Sequence, residues 1–218
     1  MKFSKLSREY SSAVEREDFV AAVELVGQAA KEAGFLVGPV YHGTDTEFTV
    51  FEHSEDIGFH FGAPESANVR IRQAEMDADG VVVKAFLKIA NPLRVDDMFT
   101  WAPAAVREAL LVRQIITPEE YGNMDIVGRE EVCGYLQRSG YDAIVYKNET
   151  EGGGDSFIVF ESRQIRDASA VVLDDAGKPM TLEQRFLSDS SDIRGDAINS
   201  LERGGASARA ASGRQLVR

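Results

Sequence analysis

The sequence predicts an α+β domain preceded by a helical extension, on three observations. Extended runs, several of them short and bounded by glycine, are interleaved with helical stretches. The hydrophobic period changes from helical before Gly34 to extended after Val37. Apolar content of 44% and charged content of 28% fall where chains of this length pack a core.

In chain order, Ser7, Tyr10 and Val14 mark a short first helix. Phe19, Val23, Val26, Ala30 and Ala33 recur at steps of four and three, which puts them on one stripe of a second helix. Gly34 is a natural stop, and the pair is read as a brace on the main domain. Val40-Tyr41-His42 is a short strand running into Gly43-Thr44, and Gly58 to Gly62 (GFHFG) is another. Pro64-Glu65-Ser66-Ala67 opens a helix, with proline in the tolerated first turn. Val81 to Ile89 is the clearest strand, with Lys84 and Lys88 on one face, and Asn91-Pro92 closes it. Pro103–Val112 and Arg129–Arg138 read as helices, and 140–146 and 156–160 as strands joined by the polar loop KNETEGGGD. After Val172 the apolar pattern fades, and 188–218 are rich in Ser, Gly, Ala and Arg. The expected organisation is a helical extension over 1–36, the α+β domain over 37–172 and a mostly disordered tail over 173–218.

A net charge of −12 argues against a protein whose main work is gripping nucleic acid, which needs clustered cations. The single cysteine, Cys133, cannot form an internal disulfide and is expected buried in a reduced, cytoplasmic setting. No apolar run has the length of a signal peptide or a membrane span, so no membrane partner is expected.

All three histidines, His42, His53 and His60, fall in one short segment. Neutral imidazoles can bind zinc, but these spacings match no short zinc signature and no cysteine is near, so no metal is assigned. His53 sits in an acidic loop and reads as a satisfied surface or core histidine. His42 and His60 lie at or inside apolar strands, beside glycine or aromatic rings. Gly43 lets backbone approach a ligand, and aromatic neighbours make His60 a platform for a flat heterocycle. A small-molecule cleft with aromatic walls follows. Trp101 reads as packing, and Gly152-Gly153-Gly154 is not a phosphate loop, because no Lys-Ser/Thr and no helix follow.

Taken in order, YHGT, GFHFG with ESANVR, FLKIANPLRVDD, GYDAIVY and DSFIVFESRQIR resemble the ADP-ribosyltransferase family, in the branch of poly-ADP-ribose polymerases and diphtheria toxin. The resemblance is closest to ADP-ribosyltransferase-like domains of multi-domain (polyvalent) phage proteins, and patterns on either side extend it over most of 8–194. It implies a split β-sheet core with flanking helices, NAD as a substrate, and transfer of one ADP-ribose to a host macromolecule, most plausibly a protein, in the host cytoplasm. Such a phage or toxin-like effector could be carried in the virion. By the same resemblance His42 hydrogen-bonds the adenine-side ribose, and the Gly43 backbone holds the nicotinamide carboxamide. His60 stands where a tyrosine usually stacks on the nicotinamide, and Ser66 supports the carboxamide. Thr44 and Phe61, adjacent to these, complete the NAD-binding set.

The chain departs from the family at the third motif. The usual glutamate falls on Ser156, which can hydrogen-bond a ribose hydroxyl but carries no charge for the cation left as nicotinamide departs. Together with His42 and His60, Ser156 and Asp155 are the expected catalytic residues. Asp155 serves only if the strand bulges, because neighbouring strand residues point to opposite faces. Glu149 or Glu151 on the glycine-rich loop could swing in instead, or no carboxylate is present. The last case would make the domain an NAD, ADP-ribose or partner-binding module. The paired histidines also suit an RNA 2′-phosphotransferase, against which stand the acidic charge and the lack of phosphate-binding arginines.

Overall fold

A computed structural model of the chain describes residues 2–73, 80–124 and 128–196. Two helices open it, α1 (Lys2–Glu15) and α2 (Phe19–Glu32), the latter capped by the Asp18 carboxylate on the Ala21 N–H. The buried stripe of α2 is Ala22, Val26, Ala29 and Ala30, while Phe19 and Val23 stay exposed. The stripe expected from sequence is therefore rotated. The alanines form the face that lies against α1, where Tyr10 and Ala13 are buried, and the larger Phe19 and Val23 turn to solvent.

Seven strands among the described residues form two sheets. β1 (Val37–Thr44), β3 (Val81–Leu87) and β7 (Ile165–Asp167) make an antiparallel sheet in the order β1-β3-β7. β2 (Phe59–Phe61), β6 (Asp155–Val159), β5 (Ala143–Lys147) and β4 (Pro92–Val95) make the second, antiparallel except that β4 runs parallel to β5. The α+β class and the split core are as expected. β3 ends at Leu87, ahead of Asn91-Pro92, but Pro92 also opens β4, an edge strand not expected from sequence, where a proline at the first residue costs the ladder little.

Apolar layers lie on both sides of each sheet. Between the sheets pack Val40, Ala85, Leu87, Phe61, Val159 and Ile165. Beyond the four-stranded sheet lie α4 (Pro103–Val112), α5 (Pro118–Asn123) and α6 (Arg129–Arg138), burying Val106, Leu110, Val132 and Leu136 against Ile144 and Ile158. α5 was missed from sequence, although Thr117-Pro118-Glu119-Glu120 forms a complete capping box. Cys133 is buried, as expected; its Sγ lies 3.2 Å from the Ile57 carbonyl and burial pushes its thiol up to about 11. α3 (Pro64–Gln73) packs on β1.

The packed unit does not end at Val172. Thr181 caps α7 (Leu182–Phe186), which buries Leu182 and Phe186 with α1, α2 and Phe86. Two buried guanidiniums fix this segment. Arg166 donates to the carbonyls of Arg185 (2.8 Å), Ile165 (2.7 Å) and Ser188 (2.7 Å). Arg185 donates to the carbonyls of Ser169 (2.8 Å) and Asp167 (3.1 Å) and to the Tyr10 hydroxyl (3.3 Å). The expected disordered tail is thus corrected for 173–196, where bonds of a few polar side chains replace a long apolar pattern; 197–218 lie outside the described residues. No helix among the described residues is long and apolar enough to cross a membrane.

Candidate active site

The two sheets meet where the middle of β1 runs beside the end of β2. Tyr41 and Gly62 exchange both backbone hydrogen bonds at 2.9 Å, forming a bridge between strands of different sheets. That bridge brings the two expected histidines together: the Nδ1–H of His42 donates to the His60 carbonyl at 2.8 Å. Both rings line one cleft of about 890 Å³, a size suited to a small-molecule ligand. His42 is walled by Phe51 and Phe61, ring centroids 5.1 and 5.5 Å away. His60 faces the other way along its strand, toward Trp101 and Tyr146. Its Nδ1 lies 3.4 Å from the Tyr146 hydroxyl and its Nε2 lies 3.6 Å from an Asp56 carboxylate oxygen.

Both imidazoles are neutral at physiological pH. Burial lowers His42, partly offset by its bond to the His60 carbonyl. Burial, with His42 and Arg70 nearby, pushes His60 down to about 3. Two side-chain atoms on the wall are enclosed and without a hydrogen-bond partner, His60 Nε2 and Ser66 Oγ. Unsatisfied buried polar atoms are rare in folded proteins, and two on one cleft are expected where a ligand completes the bonding.

The floor is built from small residues. A methyl group on Gly62 would lie 2.8 Å from Ser156 Oγ and 3.2 Å from Ser66 Cβ, so these three pack directly together. Register pairs Tyr146 with Ser156, placing both on the face that His60 shares. The Asn148 amide nitrogen donates to Ser156 Oγ (3.2 Å) and to a Glu151 carboxylate oxygen (3.1 Å). Asn148 Oδ1 accepts from the backbone N–H groups of Thr150 (3.1 Å) and Glu151 (2.8 Å). Asp97 holds a neighbouring loop, accepting from the N–H groups of Phe99 (2.9 Å) and Glu149 (3.1 Å). The charged residues on the wall are Glu52, Asp56, Asp97, Glu151 and a lone cation among the described residues, Arg70.

Of the residues expected at the site, His42, Gly43, His60, Phe61, Ser66 and Ser156 line the cleft. Two do not. Thr44 is buried beyond it, its Oγ1 accepting from the Thr46 N–H at 3.4 Å. Asp155 lies on the opposite face of β6 and is clamped by both Arg94 amino groups at 3.0 and 2.7 Å, which holds its carboxyl below the usual range. The strand does not bulge there, because Lys147 pairs with Asp155 and Tyr146 with Ser156 in unbroken register. Glu149 lies outside the cleft as well, whereas Glu151 lines it. Gly43 serves a different close approach from the one expected: a Cβ there would lie 2.5 Å from the Ala67 carbonyl oxygen of α3. His53 stacks on Phe59 at 4.8 Å, away from the other two histidines. Among the described residues no group of three His, Cys, Asp or Glu is placed to hold a metal.

Sequence reading missed Tyr146, Asn148, Arg70 and Asp97, and it took Trp101 for packing alone. Strand alternation back from Ser156 was the available signal for Tyr146 and Asn148, which sit on one parity of β5 and its extension.

Compared with known proteins, residues 36–172 match the family model described as ADP-ribosyltransferase in polyvalent proteins. No curated protein and no solved structure matches the chain.

Proposed function

The chain belongs to the ADP-ribosyltransferases of polyvalent proteins, and from that premise we propose that it binds NAD in the His42–His60 cleft and transfers a single ADP-ribose to a host protein. The observation that carries this reading is the pair of enclosed atoms without a hydrogen-bond partner, His60 Nε2 and Ser66 Oγ, on one wall of an aromatic-lined cleft. A planar carboxamide-bearing ring offers both a flat face and polar atoms to satisfy them. His42, its Nδ1–H committed to a carbonyl, has Nε2 left for a ribose hydroxyl. The acidic wall with one arginine suits a dinucleotide better than an RNA backbone, which needs several cations. A protein that modifies a bacterial host would act in the host cytoplasm.

A second reading, a binding module without turnover, is favoured by one specific observation. Ser156 carries no charge, and Asp155 is clamped to Arg94 on the far face. Purified protein incubated with labelled NAD and a bacterial lysate separates the two, beside a His42→Ala variant. Label on protein bands, lost in the variant, is the expected result. NAD binding by calorimetry without label would establish an NAD-binding module, and absence of NAD binding would refute the transferase reading and the NAD-binding module alike.

A further inference from the structure

We propose that Glu151 supplies the carboxylate that stabilises the departing-nicotinamide state, delivered from the loop between β5 and β6 and aimed by Asn148. The inference rests on the transferase reading above and deepens it. Loss of nicotinamide breaks the bond between ribose C1′ and the ring nitrogen, and the electron pair goes to that nitrogen. C1′ is left with oxocarbenium character, which an anion in a sheltered cleft stabilises. An acceptor O–H or N–H then adds to C1′, and its proton passes to the carboxylate and on to water.

Among the described residues four acids line the cleft, and their surroundings distinguish them. Asp97 accepts two backbone N–H bonds that tie its loop to Phe99 and Glu149. Asp56 lies beside His60 Nε2, and Glu52 is on the exposed stretch before it. Glu151 alone is tied to the floor at Ser156, through one amide nitrogen of Asn148 that donates to both side chains. Asn148 is 2% exposed, its Oδ1 receives two loop N–H groups and its own N–H donates to the Gly154 carbonyl at 2.8 Å. Its side chain is therefore fixed by the fold, and it fixes the carboxylate in turn. The loop owes this return path to Gly152, Gly153 and Gly154, all with φ between +81° and +104°. Sited this way, the charge lies beside Ser156 in space while lying five positions earlier in sequence.

Nicotinamide release from NAD and NAD affinity, measured on the full chain, test the assignment in wild type, Glu151→Gln, Asn148→Asp and Glu149→Gln. Glu151→Gln is expected to lower kcat on the order of 10²-fold while its NAD Kd stays within about threefold of wild type. Glu149→Gln, outside the cleft, is expected to behave as wild type. Asn148→Asp sets a second acid against Glu151, so the acid limb of its kcat–pH profile should move to higher pH; a merely structural residue would lower activity without that shift. An active wild type with an equally active Glu151→Gln, or an unmoved limb in Asn148→Asp, overturns the assignment and leaves the transferase reading standing. A wild type that releases no nicotinamide overturns the transferase reading itself.

Discussion

Replacing His60 by phenylalanine should stabilise the protein while weakening NAD binding, because the native imidazole is held in a state that only a ligand satisfies. His60 Nε2 is enclosed without a hydrogen-bond partner, and its other ring nitrogen has only a long 3.4 Å approach to the Tyr146 hydroxyl. Leaving such an atom unsatisfied costs about 1–3 kcal/mol. A phenyl ring removes that cost but adds volume beside Trp101, which returns part of it. A net gain of about 1 kcal/mol raises the midpoint of a domain this size by roughly 2–4 °C. The gain depends on pH in a definite direction. The unfolded histidine takes up a proton below about 6.5, whereas burial keeps the folded one neutral down to about 3. Native stability therefore falls as pH drops through that window, by at most ~1.4 kcal/mol per unit. The Asp56 oxygen at 3.6 Å and a side chain 27% exposed reduce that slope. Burial raises Asp56 above its usual range, so it takes up its own proton more readily when folded and offsets part of the slope in acid. His42 and His53 are lowered as well and keep their slope in both proteins. Thermal melts of wild type and His60→Phe at about pH 7 and about pH 5, with NAD calorimetry, check this. A variant that melts below wild type at neutral pH, with a gap that does not widen in acid, refutes the reasoning.

Two further outcomes follow from the same geometry. Arg70→Ala removes the one cation that the described residues place on the cleft wall and should raise the NAD Kd by roughly 3–10-fold at low salt, the difference shrinking as salt is added; an unchanged Kd would place the pyrophosphate elsewhere. Gly43→Ala drives a methyl to 2.5 Å from the Ala67 carbonyl oxygen and should cost about 1–3 kcal/mol. In an open strand the same change would gain stability, so a lowered melting temperature without ligand identifies helix packing as the glycine's role.

What the sequence made legible was whatever depended on local pattern. GFHFG and VVVKAFL announce strands through β-branched and aromatic residues, and Pro103 and Arg129 open helices where the periodicity begins. His42 and His60 stood out because a polar ring inside an apolar strand asks for an explanation. What stayed hidden depended on register and on distant partners. Pro92 reads as a stop and becomes a strand only because β5 lies alongside it in parallel. α7 has five residues and no long apolar face, and its place is set by Leu182 and Phe186 packing against α1 and α2 and by Arg166 and Arg185 reaching backbone carbonyls. Asp155 and Glu151 cannot be ranked from composition, since both are acids at one glycine-rich turn, the second on the loop and the first where β6 begins. Arg94, some sixty positions earlier, removes the first, and Asn148 aims the second.

The cleft also depends on residues outside the matched 36–172. The wall that carries Phe48 and Phe51 is a loop with little secondary structure, and it is pinned from behind. Ile193 donates to the Thr49 carbonyl at 2.7 Å, and Val50 pairs with Asp192. Ser162 Oγ donates to the Ser191 carbonyl at 2.6 Å and accepts from the Phe51 N–H at 3.3 Å. Phe51 in turn sets the edge of the His42 ring. Residues 188–194 therefore hold the histidine wall, while Asn148 and the glycine turn hold the opposite one. The aromatic rings and the Glu151 carboxylate thus reach the cleft from two separately anchored loops. Ser156, the second residue of β6, keeps the floor packed, because Gly62, Ser66 and Ser156 fill it together; under the proposed assignment the carboxylate comes from the loop instead.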